Sequence, residues 1–190
     1  MTTVSSAPPF TPDDLLKLPD AVNYELVDGQ LVERNMGMKS SLIAQRLATQ
    51  IGLYLRDHPV GLLFGADAGY QCFADAPDKV RKPDVSFIRS GRLSGDDPPE
   101  GHCRIPPDIA VEVVSPRDLS YEIEEKVGEY LNAGVPLVWV VHPTTRTLRI
   151  HRPPSSGLGI VSELKESDTL SGEAVLPGFS CQIKELFVNG

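Results

Sequence analysis

Hydrophobic positions along this chain follow two rhythms. From Ser40 to about Asp57, residues Ile43, Leu47, Ile51, Tyr54 and Leu55 recur at helical spacing, which predicts an amphipathic helix. Tyr121 to Ala133 repeats that rhythm, and Gly134 supplies the left-handed residue that ends a helix. Short β-branched runs lie around them, and Pro83 to Ile88, Ile109 to Val114, Val135 to Val141 and Thr147 to His151 predict strands. Near the start, Thr11 caps and Pro12 opens a short helix that Pro19 ends. Asp28-Gly29 then joins two β-prone runs spanning Tyr24 to Glu33, a strong hairpin signal. The stretch up to Phe73 predicts one or two strands broken by glycines, and Ser90 to Pro107 a long exposed loop. An edge strand or two and a short helix around Ile183 to Phe187 complete the expected elements. Their order implies an α/β domain with a mixed sheet over residues 10–190, after a disordered Ser/Pro/Thr-rich tail at 1–9.

Two acids interrupt this apolar pattern. In Lys82-Pro83-Asp84-Val85-Ser86-Phe87, proline cannot donate to a ladder, so Asp84 belongs at a strand start or bulge where its carboxylate can enter a cleft. In Ala110-Val111-Glu112-Val113-Val114, Glu112 shares a face with Ala110 and Val114 and points into an apolar layer. An ionised carboxylate there is costly unless a cation compensates it. Two such acids on neighbouring strands suggest a divalent metal, and Lys126 on the following helix adds a cationic group. Acid, acid and lysine on strand, strand and helix is the layout of a metal-dependent phosphodiesterase. Each residue also has a structural alternative. Asp84 can pair with Arg81 or Lys82, Glu112 can sit in a buried ion pair, and Lys126 can pair along its helix with Glu122 or Glu129.

Composition narrows the classes. With 41% hydrophobic and 23% charged residues, the chain of 190 residues can bury a core, and no apolar run approaches a membrane span. The N-terminal residues lack a basic, apolar signal pattern, so the expected location is the cytoplasm. Cys72, Cys103 and Cys181 have no zinc spacing and read as free thiols, and the four histidines show no ligand spacing. His102 beside Cys103 gives no base-nucleophile geometry, because adjacent extended residues point apart. A net charge of −8 argues against binding a polyanion through the whole surface. A local strip of Lys79, Arg81, Lys82, Arg89, Arg92 and Arg104 offers candidate DNA contacts instead.

The series Tyr24-Glu25-Leu26-Val27-Asp28-Gly29, Lys82-Pro83-Asp84, Val111-Glu112-Val113-Val114-Ser115-Pro116, Lys126 with Tyr130 and Ala133-Gly134-Val135, and Val138-Trp139-Val140-Val141-His142-Pro143 resembles the Uma-type family of bacterial endonucleases. That family lies in the PD-(D/E)xK restriction-endonuclease-like superfamily. The resemblance runs in order from about residue 20 to 188. It implies a restriction-endonuclease-like core, a mixed central sheet flanked by helices, with an N-terminal helix and β-hairpin. It assigns catalytic roles to Glu25, Asp84, Glu112 and Lys126, with Asp84 and Glu112 holding Mg²⁺ or, in its place, Mn²⁺. DNA is the implied partner, no membrane is involved, and a homodimer is a possible assembly.

Two positions depart from the pattern. Val114 stands where the superfamily carries its lysine, and Lys126 on the next helix replaces it. Ser40 and Ser41 stand where the family often has a histidine near the start of the long helix. A second reading is therefore a binding module on the same fold, acting through DNA or protein contacts without cleavage.

Overall fold

A computed structural model describes residues 8–35, 37–154 and 160–187. Helix α1 (Pro12–Lys17) is short because Pro19 follows closely. Its start is fixed by a reciprocal cap, in which Thr11 accepts from the Asp14 N–H and Asp14 accepts from Thr11. Strands β1 (Tyr24–Val27) and β2 (Gln30–Glu33) then form the expected hairpin. Its two turn residues, Asp28 and Gly29, both lie at positive φ, 50° and 74°, as a tight twisted turn requires. Of the tail expected at 1–9, residues 1–7 lie outside the described residues, while Pro9 packs so closely on Gly29 that a Cβ there would meet it at 2.5 Å.

The central element is a six-stranded sheet in the order β3 (Gly61–Phe64), β4 (Val85–Arg89), β5 (Ile109–Val113), β6 (Leu137–His142), β7 (Thr147–Arg152) and β8 (Ile160–Leu164). Only β5 and β6 pair in parallel, which demands a crossover, and α3 (Ser120–Asn132) provides it. The sheet is mixed, with α2 (Met38–Asp57) on one face and α3 on the other.

Strand alternation sorts the two layers. Val111 and Val113 of β5 join Ile43, Leu47 and Ile51 of α2, with Trp139 of β6, in the larger core. Ala110 of β5 and Val138 and Val140 of β6 face the other way, onto Ile123, Val127 and Tyr130 of α3. The C-terminal region departs from the expected edge strand or two. After β8, strands β9 (Thr169–Gly172) and β10 (Leu176–Gln182) form a separate two-stranded sheet, and Leu170, Leu176 and Phe179 bury into the α2-side core. A single 3₁₀ turn at Ile183–Leu186 stands in place of the expected helix. The loop after β4 is as long as expected, with one 3₁₀ turn at Ser94–Asp96. Among the described residues no helix is long and apolar enough to cross a membrane.

The β1–β2 hairpin stays outside the main sheet and is tied to it by one antiparallel bridge. Leu26 and Val80 exchange both backbone bonds, at 3.0 and 2.8 Å. Leu26 is fully buried with Leu15 and Val80, so α1, the hairpin and the approach to β4 share one small core. Leu26→Ala should cost about 2–5 kcal/mol, as large-to-small changes in a closed core do. Urea unfolding of the variant checks this, and an unchanged midpoint would show that the hairpin docks without that side chain.

Candidate active site

Register dictates which polar side chains meet. In the β4–β5 ladder Val85 faces Val111 and Ser86 faces Ala110. One further step puts Asp84 opposite Glu112, on the α3 side of the sheet. Cross-strand neighbours have Cβ atoms about 5 Å apart, so the two carboxylates rise from adjacent points. Asp84 N–H donates to the Val111 carbonyl at 2.9 Å, and the Val113 N–H donates to Asp84 Oδ2 at 2.8 Å. The same logic acts at the hairpin, where the Leu26–Val80 bridge sets Glu25 beside Arg81. Glu25 and Val27 both line the cleft holding Asp84 and Glu112, while Leu26 points the other way into the core.

From the opposite wall, α3 sends Lys126 and Tyr130 one turn apart onto the sheet. Lys126 Nζ lies 3.2 Å from Glu25 Oε2 and 3.4 Å from Glu112 Oε2, bridging the two acids. The Tyr130 hydroxyl donates to Glu112 Oε1 at 2.8 Å. Lys126 therefore takes neither of its helical alternatives. Glu129 instead accepts from Arg81 Nε at 2.6 Å and from Lys79, and Arg81 donates to Glu25 Oε2 at 3.0 Å. Glu25 also accepts from the Lys82 backbone N–H at 2.8 Å. Asp84 pairs with neither Arg81 nor Lys82. Its partner is Arg34, just past β2, whose Nη2 is 3.2 Å from Oδ1 while Nη1 donates to the Ala66 carbonyl at 2.6 Å.

Sequence reasoning left Arg34 and Glu129 unassigned. Arg34 stands alone among loop residues, with no periodicity to mark it. Glu129 reads as a helix-surface acid until α3 is known to lie against Arg81. Lys79, Glu129, Arg81, Glu25, Lys126 and Glu112 thus alternate along one chain of ion pairs, and Arg34 with Asp84 forms a separate pair beside it.

Placement sets ionisation. Burial drives Glu112 up to about 7, and the neighbouring Asp84 and Glu25 charges reinforce it against Lys126. Burial also raises Asp84, although Val113 N–H and Arg34 oppose the shift. Glu25 is as deeply buried, which alone would raise it, but Lys126, Arg81 and the Lys82 N–H hold it below the ordinary carboxylate value. Lys126 is raised despite its burial, because Glu112 and Glu25 favour its charged form.

The basic strip expected from composition has mostly other duties. Arg81 and Lys82 are buried, Lys82 Nζ donates to the Ala21 carbonyl at 2.5 Å, and Lys79 is committed to Glu129. Arg89 and Arg92 both pair with Asp108, at 2.8 and 2.7 Å, and Arg104 is exposed. Five of the six are therefore engaged within the protein. The acid cleft, of about 200 Å³, is lined by seven carboxylates, Glu25, Glu33, Asp84, Glu112, Asp118, Glu122 and Glu125, against three cations, Arg34, Arg81 and Lys126. Ser40, at the position where the family pattern often has a histidine, is buried and bonded to Ser115 Oγ at 2.8 Å, whereas Ser41 is exposed.

Among the described residues no group of three His, Cys, Asp or Glu side chains is arranged to hold a metal ion. The donor set still fits magnesium, which takes one or two carboxylates and completes its shell with water and phosphate oxygens. Every oxygen of Asp84 and Glu112 already accepts one hydrogen bond and keeps a second lone pair.

A family model described as "Uma2: Putative restriction endonuclease" matches residues 12–184. None of the curated proteins compared matches the chain. A solved structure, a "putative nuclease belonging to DUF820 from Anabaena variabilis ATCC 29413", superposes with a TM-score of 0.75 at 21% identity, covering 94% of this chain and 97% of that one. The shared architecture is that of the PD-(D/E)xK nuclease superfamily.

Folding linkage follows from the two opposite shifts. The folded protein holds the Glu112 proton more tightly than the unfolded chain does, so this group lowers stability as pH rises from about 4.5 to about 7. Glu25 acts in the other sense, and its contribution is lost as pH falls below the ordinary carboxylate value. Lys126→Met leaves both acids without their shared cation and should cost about 3–5 kcal/mol at alkaline pH. The deficit should shrink on acidification toward about pH 5, as Glu112 takes up its proton. Urea unfolding across this range checks it, and a pH-independent deficit would contradict the pairing.

Proposed function

This chain belongs to the Uma2 family, and from that premise we propose that the acid cleft is the active site of a Mg²⁺-dependent endonuclease acting on DNA. The observation that carries the reading is the meeting of Asp84, Glu112 and Lys126 in one cleft, from two adjacent strands and the helix above them. Asp84 and Glu112 would hold the metal. Magnesium, when bound, polarises the phosphoryl group and lowers the pKa of coordinated water.

The chain's own groups supply the rest. Lys126 remains protonated and is placed to stabilise negative charge developing on the phosphoryl oxygens and to orient the attacking water. Glu25 keeps that ammonium charged and aimed into the cleft. The Tyr130 hydroxyl fixes the Glu112 carboxylate from the side away from Lys126. Burial holds the metal-free Glu112 carboxyl near 7, so at neutral pH its proton would be displaced by a metal held there. A binding module without cleavage is the second reading. It is favoured by Ser40, which lies bonded to Ser115 and Gly37 where the family often has a histidine.

Plasmid nicking with Mg²⁺ or Mn²⁺ separates the two. Activity abolished by EDTA, and reduced at least about a hundredfold in Asp84→Ala and Lys126→Met, is the expected outcome. A wild type that binds DNA without cutting it would establish the binding module. Activity surviving in Asp84→Ala would move the chemistry elsewhere.

A further inference from the structure

A second, smaller cleft of about 130 Å³ shares two walls, Asn35 and Asp84, with the acid cleft and extends from them along the first turns of α2. It carries far less charge than its neighbour. Seven carboxylates face three cations in the acid cleft, whereas Asp84 is the sole charged side chain lining the second. Ser40 and Asp84 are bonded within the protein, but three other polar side chains there are not. Asn35, Ser41 and Gln45 all line this cleft, and among the described residues none of their side chains makes a hydrogen bond within the protein. The remaining walls are small, with Gly37, Ala44, Ala48, Gly65 and Ala66 leaving backbone close to the surface.

A phosphodiester strand reaching Asp84 has two ways in. Across the acid cleft it passes Glu33, Asp118, Glu122 and Glu125, each of which repels a phosphate. Along α2 it meets no carboxylate before Asp84 and finds three unengaged hydrogen-bonding groups, of the kind that contact phosphate and sugar oxygens. We propose that the second cleft is the substrate-strand subsite. In it Asn35 contacts the phosphate or sugar next to the scissile bond, while Ser41 and Gln45 carry the strand onward along α2. The acid cleft is thereby left to the metal. This rests on the nuclease reading for what happens at Asp84, but strand binding is measurable without turnover.

The test is binding of a short fluorescein-labelled DNA strand, and of its RNA counterpart, by anisotropy with Ca²⁺. Ser41 and Gln45 are exposed on a helix, so the double variant Ser41→Glu with Gln45→Glu should keep its fold, which circular dichroism melts verify. It should weaken strand binding about tenfold or more, with a steep salt dependence, and leave Mn²⁺ binding by calorimetry unchanged. Asn35→Ala should weaken the strand as well. Glu33→Gln with Glu125→Gln, at the acidic mouth, should leave strand binding unchanged or strengthen it. The DNA and RNA arms decide which strand is preferred.

Unchanged binding in the Ser41/Gln45 variant overturns the subsite, as does weakening confined to the Glu33/Glu125 variant, or no binding of either strand by the wild type. Cleavage is scored separately with Asp84→Ala as control. Glutamate-sensitive binding without cleavage keeps the subsite and removes the nuclease. Cleavage with glutamate-insensitive binding does the reverse.

Discussion

One ammonium group holds the interior of this site together. Lys126 lies between Glu25 and Glu112, two carboxylates almost completely removed from water. It shares Glu25 with Arg81 and is the ion-pair partner without which Glu112 could not stay charged there at tolerable cost. The rest of the arrangement follows from that need. Helix α3 must cross the sheet where Glu112 emerges, which the parallel β5–β6 step enforces. The hairpin must press Glu25 inward, which the Leu26–Val80 bridge and the Arg81 pair enforce. Lys79 and Arg81 flank Glu129, and Arg34 pairs with Asp84, so that each of these ions has an opposite neighbour.

Such compensation has a chemical cost as well as a structural benefit. A cation arriving from solvent finds Asp84 and Glu112 already engaged by Arg34 and Lys126, and it must share their oxygens rather than fill an empty cage. The acids around the rim, Glu33, Asp118, Glu122 and Glu125, work in its favour by attracting cations to the mouth. The site thus combines a neutral interior with an acidic entrance, suited to concentrating a metal and unsuited to admitting a polyanion by the same route.

Much of this was readable from the chain. Alternation in Ala110 to Val114 put Glu112 on the helix-covered face, Asp28-Gly29 marked the hairpin, and the spacing of Ile43, Leu47 and Ile51 marked α2. These are local signals, and local signals survive folding when one face of the element is buried. What escaped was long-range. Arg34 and Asp84 are 50 residues apart, and Arg81 and Glu129 are 48 apart, so neither pair leaves a spacing to recognise. The basic strip suffered the same fate. A count of lysines and arginines around Asp84 cannot see that Asp108 and Glu129 already engage four of them. The three strands after β7 were under-read because polar and turn-forming residues such as Ser162, Ser171, Gly178 and Ser180 break up their apolar runs.

The 101 residues that separate Glu25 from Lys126 carry a consequence for synthesis. At ribosomal speeds of about 5–20 residues per second, Glu25 is incorporated some 5–20 s before Lys126. During that interval Glu25 has Arg81 as a partner once that residue is made, but Glu112 has no cation. The bridge between the two acids can form only once α3 settles on the sheet. Loop-closure entropy works against any earlier contact over that span. A nascent or truncated chain ending before α3 accordingly has the three acids without the ammonium group that bridges two of them.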